Sequence, residues 1–110
     1  MTLDDLIAYG ANVDEGLGRC MNNEGFYLRL VESIKSEEGF AKLKDSIESN
    51  DLDQAFEAAH SLKGVTANLA LTPIYEPVSE ITELLRAKSQ VDYAPLLTEI
   101  LDQYEKFRAL

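Results

Sequence analysis

Apolar residues recur every three or four positions along most of the chain and never alternate with period two for long, so the pattern predicts helix throughout. A short segment, about residues 3 to 9, opens after Thr2 and stops at Gly10. Asn12 with Glu15 three residues on is a capping-box signature, and behind it Val13, Leu17 and Cys20/Met21 share one face. Asn23 can cap the next helix, whose stripe is Phe26, Leu30 and Ile34 with Tyr27 and Val31. Gly39 breaks or restarts the helix, and Phe40, Leu43 and Ile47 carry the pattern to about Ser49. Asn50-Asp51 reads as a turn, and Asp51 with Gln54 opens a long helix from Leu52 to about Leu71. Thr72-Pro73 closes that helix and opens another, with Pro73 suited to a first turn and Ile74, Val78, Ile81 and Leu84/Leu85 as the stripe. Pro77 predicts an irregular start near residues 73 to 77. After "SQVD", Asp92 caps a final helix with Tyr93, Leu96/Leu97, Ile100, Tyr104 and Phe107 on one side.

Short loops between amphipathic helices imply antiparallel neighbours. The expected fold is all-α: an antiparallel up-and-down four-helix bundle, with the extra N-terminal helical segments packed across one end. The length of 110 residues and the 45% apolar content suit a single domain over 1–110 with one core. There is no internal repeat and no interdomain linker.

Charge narrows the function. Twenty acids against ten bases leave a net charge of −10, and the Lys and Arg residues are scattered. A nucleic-acid binder needs a basic stripe, so nucleic acid and anionic membrane surfaces are poor partners. No apolar run approaches the roughly 20 residues that span a bilayer. "MTLDDLIAYG" has acids where a secretory signal has a basic region, and Cys20 is alone, so a cytoplasmic protein without disulfides is expected.

The stretch "AHSLKGVTANLAL", residues 59 to 71, holds the only histidine in the chain. On a helical wheel, Leu52, Ala55, Ala59, Leu62, Thr66, Leu69 and Ala70 form the core arc, and His60 lies about 120° from its centre. Its surface neighbours are Phe56, Glu57, Lys63, Gly64 and Ala67. A single histidine or lysine on a helix is ordinarily just solvated; the combination here is more particular. Lys63 at i+3 can reach the same spot as the imidazole. Gly64 costs about 1 kcal/mol relative to alanine inside a helix, yet it points outward, where no core neighbour needs the space. With Ala67 one turn further on, it leaves bare backbone beside the ring. Neutral imidazole is a good nucleophile and can take a phosphoryl group as a phosphoramidate, and a nearby ammonium can answer the transferred charge.

With these residues in place, the stretch resembles the histidine-containing phosphotransfer domain of bacterial two-component phosphorelays. The family pattern is roughly A-H-[ST]-L-K-G-[SA]-[SA]-x-x-[LFI]-G, and this chain reads A-H-S-L-K-G-V-T-A-N-L-A from Ala59 to Ala70. "DLDQAFEAAHSLKG", "EITELLR" and "GANVDEGLGRCMNNEGFYLRLV" are similar to the family as well. The resemblance implies that His60 is phosphorylated on Nε2, that Lys63 stabilises the phosphoryl group and that Gly64 gives clearance to a docking receiver domain. Ala67, Phe56 and Glu57 would complete the docking surface. The partners would be receiver domains of response regulators or hybrid histidine kinases. The chain would need no cofactor or metal of its own, the Mg2+ residing on the receiver. Ala70 stands where the family has glycine, Val65-Thr66 replaces smaller residues, and Pro77 is unusual in its helix.

Other histidine-bearing bundles fit less well. A histidine kinase dimerisation domain usually has an acidic residue after the histidine, whereas Ser61 follows here. The phosphotransfer domain of chemotaxis kinases has a similar motif in a far longer chain. One histidine excludes a di-iron bundle and a zinc enzyme. The chain has no Gly-rich phosphate loop, so it is expected to be a phosphocarrier, not an autokinase, and a monomer. The alternative is a binding-only module that docks a receiver without carrying phosphate.

Overall fold

Polar side chains start most of the helices. Thr2 Oγ1 accepts from the Asp5 N–H at 3.1 Å, and the Asp5 carboxylate accepts from the Thr2 N–H at 2.9 Å. Asn12, Asn23 and Asp51 accept from the N–H three residues on, at 3.3, 3.0 and 3.1 Å. In the computed structural model, which describes residues 1–110, these caps open α1 (Leu3–Tyr9), α2 (Val13–Arg19), α3 (Glu24–Ser33) and α5 (Leu52–Asn68). A 3-10 turn, Ile34–Ser36, leads into α4 (Gly39–Glu48), while α6 (Thr72–Arg86) and α7 (Ala94–Arg108) complete the chain. Asp92 does not take the N-cap position expected of it. Tyr93 does, and Asp92 Oδ1 accepts from the Ala94 N–H at 3.0 Å.

Helices α4, α5 and α6 close by a shared device. At the end of α5 the Leu71 N–H reaches the Thr66 carbonyl at 2.9 Å and the Ala70 N–H reaches Ala67 at 3.1 Å. These two bonds satisfy carbonyls the helix would leave open, and they require the residue between to be left-handed. Ala70 has φ 55°. The same pair of bonds ends α4 around Asn50 (φ 58°) and α6 around Lys88 (φ 52°). None of the three is glycine. The family's glycine at the position of Ala70 now has a physical reason, since only glycine takes that conformation freely.

Helices α4, α5, α6 and α7 form the antiparallel four-helix bundle, with α5 packed between α4 and α6 and α7 against α6. One contiguous core runs through it, including Phe40, Leu43, Ala59, Leu62, Ile74, Ile81, Leu85, Ile100 and Phe107. Helices α1 to α3 lie across the end that holds the α5 C-terminus, and Leu6, Val13, Tyr27 and Val31 enter the same core. Buried and half-buried phenols tie the N-terminal segment down. Tyr27 donates to the Leu69 carbonyl at 2.9 Å, Tyr9 to Gln103 at 2.9 Å, and Tyr104 to Ile34 and Lys35 at 2.8 and 2.9 Å. Burial, with the Cys20 thiol nearby, pushes the Tyr27 phenol up to about 12. The Asn12 N–H completes the anchor on the Ala70 carbonyl at 2.9 Å. Tyr27 lies so close over α2 that a Cβ on Gly16 would sit 2.5 Å from its ring.

Three further expectations are corrected. Helix α6 has no irregular start: it runs unbroken through Pro77, which is buried. The proline removes only the bond to the Pro73 carbonyl, near the helix start. Helix α5 ends at Asn68, short of the expected Leu71, because Ala70 turns left-handed. The expected N-terminal stripes are also partly out of phase. Tyr27, Val31 and Ile34 are buried, but Phe26 is 37% and Met21 85% exposed, Met21 because it follows the end of α2 at φ 56°.

Ala70→Gly should relieve the left-handed strain of roughly 1–2 kcal/mol, less the entropy glycine loses on folding of about 0.5–1 kcal/mol. A rise in urea midpoint at unchanged slope is expected, and a fall would mean the buried Ala70 methyl contributes more than the strain removes.

Candidate functional site

The rotation of α5 is set from inside. Ala55, Ala59, Leu62 and Thr66 are buried, and Thr66 donates its hydroxyl to the Leu62 carbonyl at 2.7 Å, so this departure from the smaller family residue leaves no open polar group. With that face inward, His60 and Gly64 are exposed on the opposite flank. The His60 ring is stacked with Phe56, centroids 5.6 Å apart and planes at 18°. A Cβ added at Gly64 would meet nothing within 4 Å, so no intramolecular contact explains the glycine.

Lys63 leans away from solvent toward α6. Its Nζ lies 3.5 Å from Glu83 Oε2, and the lysine side chain is 29% exposed. The same oxygen faces Arg86 Nε at 3.4 Å, and the Arg86 guanidinium lies 5.0 Å above the Phe56 ring. Partial desolvation works against the charge on Glu83, but the hydrogen bond and charge of Arg86, and then Lys63, hold its carboxyl below its usual range. The Phe56 ring stacked on His60 thus carries Arg86 on it, and Arg86 in turn shares Glu83 with Lys63, on a chain of net charge −10.

The other expected residues are more dispersed. Glu57 and Ser61 line a polar groove of about 550 Å³ between α4 and α5, with Glu37, Lys42, Asp45 and Gln54. Ala67 faces a second groove, beside Thr66, Tyr75 and Glu76. Gly64 borders a more apolar one with Leu30, Ile34, Val65 and Leu69, between α3 and α5. Thus Phe56 and His60 are in direct contact, Lys63 is turned to Glu83 on α6, and Glu57, Gly64 and Ala67 look onto separate grooves. No group of His, Cys, Asp and Glu side chains is placed to hold a metal ion.

Glu83 and Arg86 were not expected at the site. They lie in "EITELLR", and their i,i+3 spacing was the available signal. A wheel of α6 puts them on a flank of the core stripe, but it does not say which flank faces α5.

Residues 34–110 match the family model of the Hpt domain, and the protein belongs to that family. Hpt domains are phosphocarriers that interact with receiver domains in phosphorelays, so its function is phosphotransfer-related, within two-component signalling. No curated protein and no solved structure matches the chain. No helix is long and apolar enough to cross a membrane.

Because Gly64 faces open space inside α5, Gly64→Ala should stabilise the fold by about 1 kcal/mol, the helix-propensity difference alone. Urea unfolding reads this directly; a destabilised variant would reveal an intramolecular need for the glycine.

Proposed function

We propose that the protein is a phosphorelay intermediate that accepts a phosphoryl group on His60 from a receiver-domain aspartyl phosphate and passes it to another receiver. The observation that carries this reading is the exposed imidazole on a core-locked helix, with Lys63 at i+3 and empty space at Gly64. The Nε2 lone pair attacks phosphorus, the N–P bond forms, and the P–O bond to the aspartate breaks with its electron pair leaving on the carboxylate. The proton on Nδ1 is then free to pass to solvent. Reversal onto a second receiver completes the relay. The receiver supplies its own Mg2+, and Lys63 offsets charge on the transferring group.

Docking needs a surface and not a pocket, because the donor is another protein's active site. The flank around His60 supports that, with Phe56 beside the ring, Gly64 and Ala67 along the helix and Glu57 at the α4 edge. The shared core of α1 to α3 with the bundle supports a single domain over 1–110. We place the protein in the cytoplasm, as a monomer, where receiver domains work. The rival reading, docking without phosphate, has less support because His60 and Lys63 are both present.

Incubation with a phosphorylated receiver should put acid-labile, alkali-stable phosphate on the wild type and none on His60→Gln, while ATP alone should label neither. No label on wild type from any receiver, or equal label on His60→Gln, contradicts the carrier reading. Labelling of the isolated protein by ATP contradicts the absence of autokinase activity.

A further inference from the structure

Glu83 Oε2 is the meeting point of two cations, Lys63 Nζ at 3.5 Å and Arg86 Nε at 3.4 Å. Lys63 comes from α5 and the other two from α6, so the contact spans the helix pair that carries the site. Arg86 is also held over Phe56 at 5.0 Å, and Phe56 is stacked on His60 at 5.6 Å. The Phe56 ring thus lies between Arg86 and the imidazole and touches both. A phosphoryl group on His60 would carry more negative charge than a carboxylate and three acceptor oxygens, and would draw on the same two cations.

We propose that Glu83 is a built-in counter-ion that competes with the phosphoryl group on His60 for Lys63 and Arg86, and so limits the lifetime of the phosphohistidine. This rests on the reading of His60 as the phosphorylated residue. Glu83 touches no reacting atom; it is a positioning residue acting through the two cations. Its carboxyl, exposed and held below its usual range by the two cations, is ionised throughout the neutral pH range, so the competition persists there. A carrier must give its phosphate away as readily as it takes it. A counter-ion that withholds part of the stabilising charge keeps the phosphorylated state from becoming a trap.

The test loads the full chain chemically with phosphoramidate, whose P–N bond breaks with release of ammonia as the bond to His60 Nε2 forms. Decay of the phosphohistidine is followed by 31P NMR. Glu83→Gln should lengthen its lifetime about two- to fivefold, the scale of exposed ion pairs. Glu83→Asp, which keeps the charge, should stay near wild type. The gain should shrink near 1 M salt, where the screening length falls to about 3 Å, and vanish when Lys63→Gln and Arg86→Gln are also present. Equal lifetimes for wild type and Glu83→Gln, or a gain that survives loss of both cations, would overturn the proposal. Glu83 is exposed, so Glu83→Gln should fold as wild type does. A lifetime change without transfer from any receiver defeats the relay reading alone, whereas normal transfer with unchanged lifetimes defeats the counter-ion alone. If phosphoramidate leaves His60 unloaded, the same decay is followed after loading from a phosphorylated receiver that is then removed, and failure of both routes defeats both readings.

Discussion

Ala55 and Ala59 are fully buried, and their small side chains let α4 and α6 close on α5 from two sides. That burial sets the rotation of α5, and much of the rest follows from it. Leu62 and Thr66 continue the inward face, so at about 100° per residue His60 and Gly64 must emerge on the opposite flank. The candidate nucleophile is thus aimed by core packing, not by a pocket built around it. A larger side chain at position 59 would separate the helices and turn the imidazole at the same time, coupling fold stability to site geometry.

The far end of α5 is held as firmly. Its left-handed closure at Ala70 offers carbonyls to Tyr27 and Asn12, so the N-terminal helices anchor on the turn that ends the histidine-bearing helix. No buried side-chain polar atom is left without a partner. The strain at Ala70 and the helix weakness at Gly64 differ in kind. Ala70 serves the fold with a residue poorly suited to its conformation. Gly64 gives up helix stability at a position where a side chain would meet nothing within 4 Å.

Most of the architecture was legible in the sequence because periodicity and caps are local signals. The bundle, the core arc of α5 and the outward position of His60 all follow from them. What failed depended on tertiary context. Pro77 is a helix breaker in isolation but is accommodated in the core one turn into α6. The two stripes containing Met21 and Phe26 looked buried, but α2 ends before Met21, which turns left-handed, and α3 buries Tyr27 and Val31 in place of Phe26. Ala70 was an unexplained departure until its φ of 55° was known. The Glu83–Arg86 pair joined the site only because α6 turns that flank toward α5, a choice set by the packing of two helices and not by either one's sequence.

The central claim is that the outer flank of α5 is the functional face of this Hpt domain. Amide chemical-shift mapping of the 15N-labelled protein against an unphosphorylated, Mg2+-loaded receiver domain tests it most directly. The account predicts the largest perturbations at Phe56, His60, Gly64 and Ala67, fading toward the rim and absent from the far side of α7. Perturbations centred elsewhere, with His60 and Gly64 unmoved, would contradict it.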